Sequence, residues 1–322
     1  LFKSPSDYKE SLPDKESTEA GFGEGKNTFP HKMDELVKKA GDYSPLKSTP
    51  FANSILKSFV IDLMKNEPIG TDEVPDLVNL FFSSMDEEQE GFGPASMEME
   101  DLYLRMDQEI ADIITFAEEK YGKDNVLLFL TANTSASYPV KYLKEKLRIP
   151  AGTFSSENAY ALLNSYLNIT FGDLRWIEYF NGYQIYLNHK LIELNKVALK
   201  EIRRKTADFL MQFEGIRMAV TADQVEEGEI TSELSLGIPQ SYVPYRSGDV
   251  FYVLREGWQP VSRFSRENYT GQPFLPLVFY GAGTKQRVVT TPCEATDFAP
   301  TLSEILKIPK PPGSLGTVLE GF

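Results

Sequence analysis

The chain has 322 residues, of which 41% are hydrophobic, and this apolar content can bury a sizeable core in one large domain or two ordinary ones. The formal net charge of -14 and the pI near 4.8 argue against binding to nucleic acid, because counterion release requires clustered lysine and arginine. No apolar run approaches the roughly 18 to 20 residues that cross a bilayer, so no transmembrane segment is predicted.

The first residue is Leu1, and no basic-then-apolar signal segment follows it. We therefore expect a processed product or a piece of a longer protein, whose targeting signal lies upstream. The single Cys293 excludes an internal disulfide framework. The only histidines, His31 and His189, occur in unrelated contexts, which predicts two structural, hydrogen-bonded residues. This chain alone therefore cannot build a three-histidine metal centre.

The first third of the chain predicts a surface segment, a helix and a strand. Residues 1–42 are rich in Lys, Glu, Ser, Pro and Gly, which is typical of an irregular segment draped on a domain. Apolar residues recur at helical spacing over residues 49–66, and Pro50 fits the first turn of such a helix. Residues 77–82 (L-V-N-L-F-F) predict a buried strand.

The most informative stretch is a run of five apolar residues, 126–130, which ends abruptly in small polar residues. Such a run is typical of a strand that is buried on both faces of a parallel sheet. A helix over 96–120 would join it to the strand at 77–82 as a right-handed βαβ unit. Ligands of open α/β sheets bind at the carboxyl ends of strands, so residues 131–135 are where chemistry is expected.

The rest of the chain predicts a mixture of short strands and helices. An inserted α+β subdomain is predicted over residues 150–245, because the pattern changes there to short strands and a long charged helix. Strands are predicted at 183–187, 216–221, 250–254 and 277–280, and helices at 191–213 and 296–306. The aromatic stretch 176–186 is either subdomain core or a surface for a partner or glycan, and the first of these is favoured. Met97, Met99 and Met106 are interpreted as core residues of a helix.

Several motifs in a fixed order resemble the alkaline phosphatase superfamily. They are F-F-S-S-M-D (81–86), F-G-P (92–94), E-M-E-D-L-Y-L-R-M-D (98–107), F-L-T-A (129–132), P-L-V-F-Y-G (276–281) and T-D-F-A-P-T-L (296–302). The resemblance is to the type I phosphodiesterase/nucleotide pyrophosphatase-like branch, particularly to secreted alkaline phosphatases of Bacteroidetes, and it runs along essentially the whole chain. It implies an α/β, three-layer fold with a central, mostly parallel sheet and an inserted small α+β subdomain.

The resemblance also implies a reaction. In this family two zinc ions hold a phosphate ester while a threonine or serine alkoxide attacks the phosphorus. The nucleophile and the aspartate of the first strand belong upstream of Leu1, so residues 1–322 correspond to the later part of one domain. The remaining ligands come from an Asp-x-x-x-His motif, an Asp-His pair and a histidine just before a later strand.

This sequence keeps one of those five ligand positions. Asp86 stands at the first position, but Glu90 replaces the histidine four residues later. Asn133 and Thr134 replace the Asp-His pair, and Phe274 stands where the last histidine belongs. Zinc at neutral pH requires anionic or imidazole ligands, and three of these four replacements are neutral groups.

The substitutions lead to the hypothesis of a pseudoenzyme that retains the fold with a vestigial cleft. We expect no catalytic residue and no cofactor, and a role as an extracytoplasmic scaffold or interaction subunit that binds other envelope or outer-membrane proteins. The alternative is a metal-dependent phosphomonoesterase or phosphodiesterase with an atypical zinc site. A third possibility is a module that binds a phosphorylated ligand in the vestigial cleft without turnover.

Asp86 and the acidic run that follows it allow two interpretations each. Asp86 is either a surviving site residue or a strand-end acid that is satisfied by backbone amides, and the second is favoured. The run over residues 86–90 is either a site for a hard cation such as Ca²⁺ or a solvated loop, and again the second is favoured.

Overall fold

A computed structural model describes residues 7–14, 28–84, 92–132, 138–230, 237–261 and 275–320. The chain divides into two compact units. The first unit contains Leu1–Thr49, Ser84–Leu104 and Ala132–Pro276, and the second contains Pro50–Ser83, Arg105–Thr131 and Leu277–Phe322. Within the described residues, no helix has the length and apolar character needed to span a membrane.

Helices and strands alternate along much of the described chain. The helices are α1 (Met33–Ala40), α2 (Pro50–Asn66), α3 (Met97–Tyr121), α4 (Val140–Glu145), α5 (Ser156–Phe171), α6 (His189–Leu194), α7 (Leu199–Leu210), α8 (Ala222–Glu226), α9 (Ile238–Ser241) and α10 (Phe298–Leu306). The strands are β1 (Leu127–Thr131), β2 (Gly152–Ser155), β3 (Ile177–Asn181), β4 (Gln184–Leu187), β5 (Ile216–Thr221), β6 (Val250–Leu254), β7 (Trp258–Val261) and β8 (Leu277–Gly281).

The first unit is built on an antiparallel sheet with the strand order β3-β4-β6-β5. Helices α5 and α7 pack with this sheet, and every residue of β6 is buried, as expected for an inner strand covered by apolar side chains. A separate pair, β2 and β7, is parallel. The fully buried side chains of this core include Leu163, Leu167, Trp176, Ile177, Ile185, Ile202 and Leu210.

The aromatic stretch predicted over 176–186 contributes mainly to this core. Trp176 is fully buried and its indole N–H donates to the carbonyl oxygen of Gly172 at 2.8 Å, so the polar atom of the ring is satisfied. Tyr179 is exposed. The favoured interpretation is therefore confirmed for Trp176, whereas Tyr179 lies on the surface. The sheet also takes in β6, beyond residue 245, and the inserted subdomain over 150–245 stays a prediction.

The prediction of one continuous charged helix over 191–213 is wrong, because the chain forms two helices, α6 and α7, with a break between them. Asn195 ends α6, and its side-chain amide donates to the carbonyl oxygen of Leu191 at 2.8 Å. Lys196 then adopts a left-handed backbone conformation with φ of 53°. A residue in that conformation cannot continue a right-handed helix, so the chain turns before α7 begins at Leu199.

The second unit packs α2 against α3. Val60 and Met64 of α2 are buried together with Ile113 and Ala117 of α3, and this confirms the helices predicted over 49–66 and 96–120. The start of α3 belongs to the first unit, where the buried Met99 confirms its interpretation as a core residue. In the first unit, the described residues of the irregular segment predicted over 1–42 include the helix α1.

Two predictions about the strands of this unit are wrong. Residues 77–82 form no strand, although Leu80 and Phe82 pack against the α2–α3 core. Strand β1 pairs with β8 in an antiparallel direction, so the βαβ unit predicted from 77–82 to β1 is not formed. An apolar run predicts that a segment is buried, and it does not specify with which strand the segment will pair.

The close contact of Gly215 with Trp258 provides a test of the packing in the first unit. Gly215 has φ of 91°, and a Cβ atom there would fall on the indole ring of Trp258. We expect Gly215→Ala to lower the free energy of unfolding by about 1 to 3 kcal/mol more than Gly41→Ala, because the added methyl group overpacks the site. Urea unfolding followed by tryptophan fluorescence measures the difference.

Gly41 is the matched control, since its φ is 79° and a Cβ atom there would meet nothing within 4 Å. Both substitutions place an alanine in the left-handed region, so the backbone strain cancels in the comparison. Equal losses for the two variants would contradict the contact between Gly215 and Trp258.

Candidate functional site

The five residues of the predicted vestigial cleft lie outside the described part of the chain. They are Asp86, Glu90, Asn133, Thr134 and Phe274. The structure therefore neither brings them together nor separates them, and their assignment stays a prediction. The same holds for the interpretation of the acidic run over residues 86–90.

The described residues next to those positions differ in burial, since Thr131 is exposed. Ser84 and Phe92 are buried on either side of residues 85–91. Thr131, the last residue of β1, is paired with Leu277, the first residue of β8. The last residue of β1 and the first residue of β8 therefore lie at the same end of this two-stranded sheet.

The first histidine pairs with a buried glutamate at the start of α3. His31 Nε2 lies 2.7 Å from Glu98 Oε1, and both side chains are buried. The imidazole also contacts the rings of Phe29 and Phe92, with centroid distances of 6.3 and 5.0 Å. A buried carboxylate is costly unless it is paired, so Glu98 and His31 stabilise each other in this apolar setting.

The neighbouring acidic residues of α3 hold the N-terminal segment. Glu100 accepts hydrogen bonds from the backbone N–H groups of Lys9, Glu10 and Ser11, at 3.2, 3.2 and 2.9 Å. The hydroxyl of Tyr8 donates to Asp101 in the buried interior. The acidic residues in the first turns of α3 therefore accept hydrogen bonds that hold residues 8–11 against the helix. The sequence alone does not predict this role.

The second histidine belongs to a polar cluster around Asp249, the residue before β6. His189 Nε2 lies 2.9 and 3.0 Å from the two carboxylate oxygens of Asp249. The Asp249 side chain is buried and also accepts from the backbone N–H of Leu187 at 2.8 Å. Arg203 Nε donates to Asp249 Oδ1 at 2.8 Å. Asp249 thus joins the end of β4, the start of α6 and the middle of α7.

Arg203 connects this cluster to a second carboxylate. Its Nη1 donates to Asp223 Oδ1 at 2.9 Å, and both side chains are largely buried. Burial by itself would lower the pKa of the guanidinium, but the hydrogen bond to Asp249 and the charges of Asp249 and Asp223 outweigh it and raise the pKa. The nearby Tyr242 donates to Glu226, and desolvation together with this hydrogen bond raises the pKa of Tyr242 to about 12.

The His31–Glu98 pair and the Asp249 cluster each hold elements of the fold together, and neither supplies a complete metal site. A zinc site needs four ligands, or three with one open position. Within residues 7–14, 28–84, 92–132, 138–230, 237–261 and 275–320, no group of three His, Cys, Asp or Glu side chains is placed to hold a metal ion. Each histidine is instead hydrogen-bonded to a carboxylate, as predicted for structural residues.

The donor set at the predicted cleft does not fit the zinc pair that the family resemblance implies. Asp86 and Glu90 are carboxylates, whereas Asn133 offers an amide, Thr134 a hydroxyl and Phe274 no donor atom. Both histidines of the chain have one ring nitrogen on a carboxylate, and His31 is buried against the first turn of α3. The chain therefore has no imidazole at these positions, and neutral oxygen donors bind zinc poorly.

Comparison with known proteins finds a family model, sequence relatives and a solved structure that match this chain. The model of a family described as type I phosphodiesterase/nucleotide pyrophosphatase matches residues 6–274. The chain is 30% identical to alkaline phosphatase PafA of Elizabethkingia meningoseptica over 320 residues, which cover 96% of this chain and 57% of that protein. It is 31% identical to a protein of Myroides odoratus named calcium-transporting ATPase, over 92% of this chain and 55% of that protein.

A solved structure agrees with these sequence matches. The crystal structure of wild-type alkaline phosphatase PafA superposes with a TM-score of 0.88 at 28% sequence identity. The match covers 99% of this chain and 61% of that chain. The alkaline-phosphatase fold predicted from the sequence motifs is thereby confirmed, and the chain spans little more than half the length of the curated relatives it matches.

Proposed function

Because the chain belongs to the type I phosphodiesterase/nucleotide pyrophosphatase family of hydrolases, we propose that it is an inactive member of that family. It retains the fold as a rigid body and acts as an extracytoplasmic scaffold or interaction subunit in a cell-envelope assembly. Its partners are other envelope or outer-membrane proteins, and neither nucleic acid nor a metal cofactor takes part.

One observation carries this proposal, namely the chemistry of the residues at the metal-ligand positions. Four of the five positions have lost the family's ligand, and only Asp86 keeps it. Alterations of groups that merely support metal ligands cost about 10- to 100-fold in affinity or activity. The loss of four direct ligands therefore removes the Lewis acid that would polarise a phosphate ester and activate the nucleophile.

The hydrogen bonds of the two histidines also support the proposal that zinc is not bound. A ligand could in principle be recruited from elsewhere in the chain, but His31 is buried against Glu98 and two aromatic rings. His189 is held by Asp249, which Arg203 neutralises at the same time. Freeing His31 would leave the buried Glu98 with one partner fewer, which costs several kcal/mol.

The competing function is hydrolysis of a phosphate ester by an atypical metal site. Membership of a hydrolase family and the retained Asp86 favour it. It would require Asp86, Glu90 and groups outside these 322 residues to hold one metal ion. A vestigial cleft that binds a phosphorylated ligand without turnover is compatible with the scaffold role.

The proposal is tested on the natural protein by metal analysis and an activity assay. We expect no stoichiometric zinc by mass spectrometry, and no hydrolysis of p-nitrophenyl phosphate above the buffer rate when zinc is added. The physical reason is that the available donors do not form a closed zinc coordination sphere. The alkaline phosphatase PafA, assayed in parallel, serves as the positive control.

Stoichiometric zinc together with hydrolysis that chelators abolish would contradict the proposal and establish the hydrolase instead. Hydrolysis that persists in the Asp86→Ala variant would indicate a contaminating phosphatase, because Asp86 is the one retained ligand position.

A further inference from the structure

One loop of the first unit, residues 243–246 (V-P-Y-R), presents four consecutive exposed residues. Tyr245 projects its whole side chain into solvent, and Val243 is a second exposed apolar residue. The guanidinium of Arg246 makes no hydrogen bond or ion pair with another described residue, although the chain carries 47 acidic residues against 33 basic ones. Single exposed apolar side chains are ordinary, and what distinguishes this loop is its backbone.

The backbone of Tyr245 lies in the left-handed region, with φ of 65°. The other described non-glycine residues with positive φ lie just beyond the ends of helices, and they are Arg148, Lys196 and Lys307. A left-handed residue is common at such a place, because it ends the helix. Tyr245 ends no helix, since α9 stops at Ser241. A bulky side chain in this region costs free energy that glycine would not, and such strain is typical of functional sites.

Hydrogen bonds within the loop fix the position of Tyr245. The carbonyl oxygen of Val243 accepts from the backbone N–H groups of Arg246 and Ser247, at 3.1 and 2.9 Å. The hydroxyl of Ser247 in turn accepts from the N–H of Val243 at 2.9 Å. Pro244 restricts one further backbone dihedral angle. The loop therefore holds one conformation without help from a partner.

The residues on both sides of the loop are fastened to the buried sheet of the first unit. Tyr242 packs edge-to-face on Phe251 of β6, with ring centroids 6.0 Å apart, and its hydroxyl donates to Glu226. The N–H of Gly248 donates to Gln184 Oε1 of β4 at 2.7 Å. A rigid loop loses little conformational entropy when it binds, so more of the energy of its contacts appears as affinity.

We infer that residues 243–246 are an anchor loop that binds a partner protein. The ring of Tyr245 enters an apolar pocket of the partner, and Arg246 pairs with a carboxylate at the edge of that pocket. Tyrosine and arginine are enriched among the few residues that carry most of the energy of protein–protein binding. The inference deepens the proposed role as an interaction subunit, and it rests on that proposal only in requiring a protein partner.

Charge favours a protein over a membrane as the partner of this loop. Tyrosine and arginine also suit the surface of an anionic bilayer, but a chain with a formal net charge of -14 is repelled from such a surface. A second copy of the chain is disfavoured for the same reason. A single carboxylate beside a pocket avoids this repulsion, because it meets Arg246, a cation without an acidic neighbour in the described part of its own chain.

The stability of the variant Tyr245→Asn tests the inference without a partner. Asparagine adopts the left-handed region more readily than tyrosine does, and the ring that it removes has no contact within the chain. We therefore expect the urea midpoint, followed by tryptophan fluorescence, to stay the same or to rise. A lower midpoint would show that Tyr245 stabilises the fold, and the inference would be overturned.

The binding test is photo-crosslinking of the natural protein in its own cells. A benzophenone amino acid replaces Tyr245 or, separately, Tyr179, which is exposed in the same unit and is the matched control. We expect one protein adduct at position 245, with a yield several-fold above that at position 179 and with Asp or Glu beside the crosslinked site in the partner. Arg246→Glu should reduce this yield several-fold. Replacing the mapped carboxylate of the partner by lysine should restore it.

Any other result overturns the inference. Adducts with lipid would identify a membrane contact, and adducts with a second copy of the chain would identify a dimer. No adduct at position 245, with the protein folded by limited proteolysis, would show that the loop contacts only solvent. A yield that Arg246→Glu leaves unchanged, or that the charge exchange fails to restore, would exclude the ion pair. Zinc content and hydrolysis are not readouts here, so failure of the proposed inactivity is distinguishable from failure of this inference.

Discussion

Asp249→Ala is expected to lower the free energy of unfolding of the first unit by about 3 to 5 kcal/mol. The substitution removes the acceptor of Leu187 and the carboxylate that pairs with His189 and Arg203. Arg203 remains largely buried with Asp223 as its remaining carboxylate. The Leu187 N–H also loses its acceptor, and an unsatisfied buried donor costs about 1 to 3 kcal/mol. Because both tryptophans lie in this unit, their fluorescence during urea unfolding reports the change directly.

Glu227→Ala provides the matched control for this prediction. Glu227 also pairs with a cation of α7, Lys200 at 2.7 Å, but both side chains are largely exposed. Exposed ion pairs contribute between zero and about 1 kcal/mol, so the loss should be small. If Asp249→Ala lowered the free energy of unfolding no more than Glu227→Ala does, the prediction would be contradicted. The Asp249 cluster would then not hold β4, α6 and α7 together.

The sequence predicted those elements whose stability is determined locally. Helices α2 and α3 and strands β5 and β6 were predicted because their apolar periodicity is long and their ends carry clear stop signals. The break after α6 was missed, because it depends on a single left-handed residue, Lys196, inside a continuous charged pattern. Helix α5 was missed as well, although Ser155 caps it by accepting from Asn158 at 3.2 Å.

Strand pairing could not be predicted, because it is decided by residues far apart in the sequence. The run at 126–130 correctly indicated β1, but its partner β8 lies about half the chain away and runs antiparallel. The residues at 77–82 have an equally strong strand pattern and no strand partner among the described residues. A hydrophobic pattern predicts burial, and it does not specify which strand will lie alongside.

The candidate site, too, could be predicted from the sequence only where local motifs mark its residues. The five cleft positions could be identified only because family motifs fix their place relative to strands, as with Thr131 before Asn133. The Asp249 cluster could not be recognised in the sequence, since its hydrogen-bonded partners are separated by 20 to 62 residues. Such clusters are recognised from burial and distance, and the sequence displays neither.

Restoring the missing ligands is expected to restore zinc binding. In the quadruple variant Glu90→His, Asn133→Asp, Thr134→His and Phe274→His, the chain would present five anionic or imidazole ligands, counting Asp86. We expect its affinity for zinc to exceed that of the unmodified chain by more than about 100-fold, because alterations of supporting groups alone change affinity by about 10- to 100-fold. Competition with a fluorescent zinc chelator measures both affinities.

A second quadruple variant controls for the number of substitutions. It carries Glu90→Gln, Asn133→Ala, Thr134→Val and Phe274→Leu, which change the same positions without adding a ligand. We expect its zinc affinity to equal or fall below that of the unmodified chain. If the histidine variant bound zinc no better than this control while both were folded by circular dichroism, these four positions would not converge on one site. Loss of the ligands at these positions would then not explain an absence of catalysis, even if the protein proved inactive.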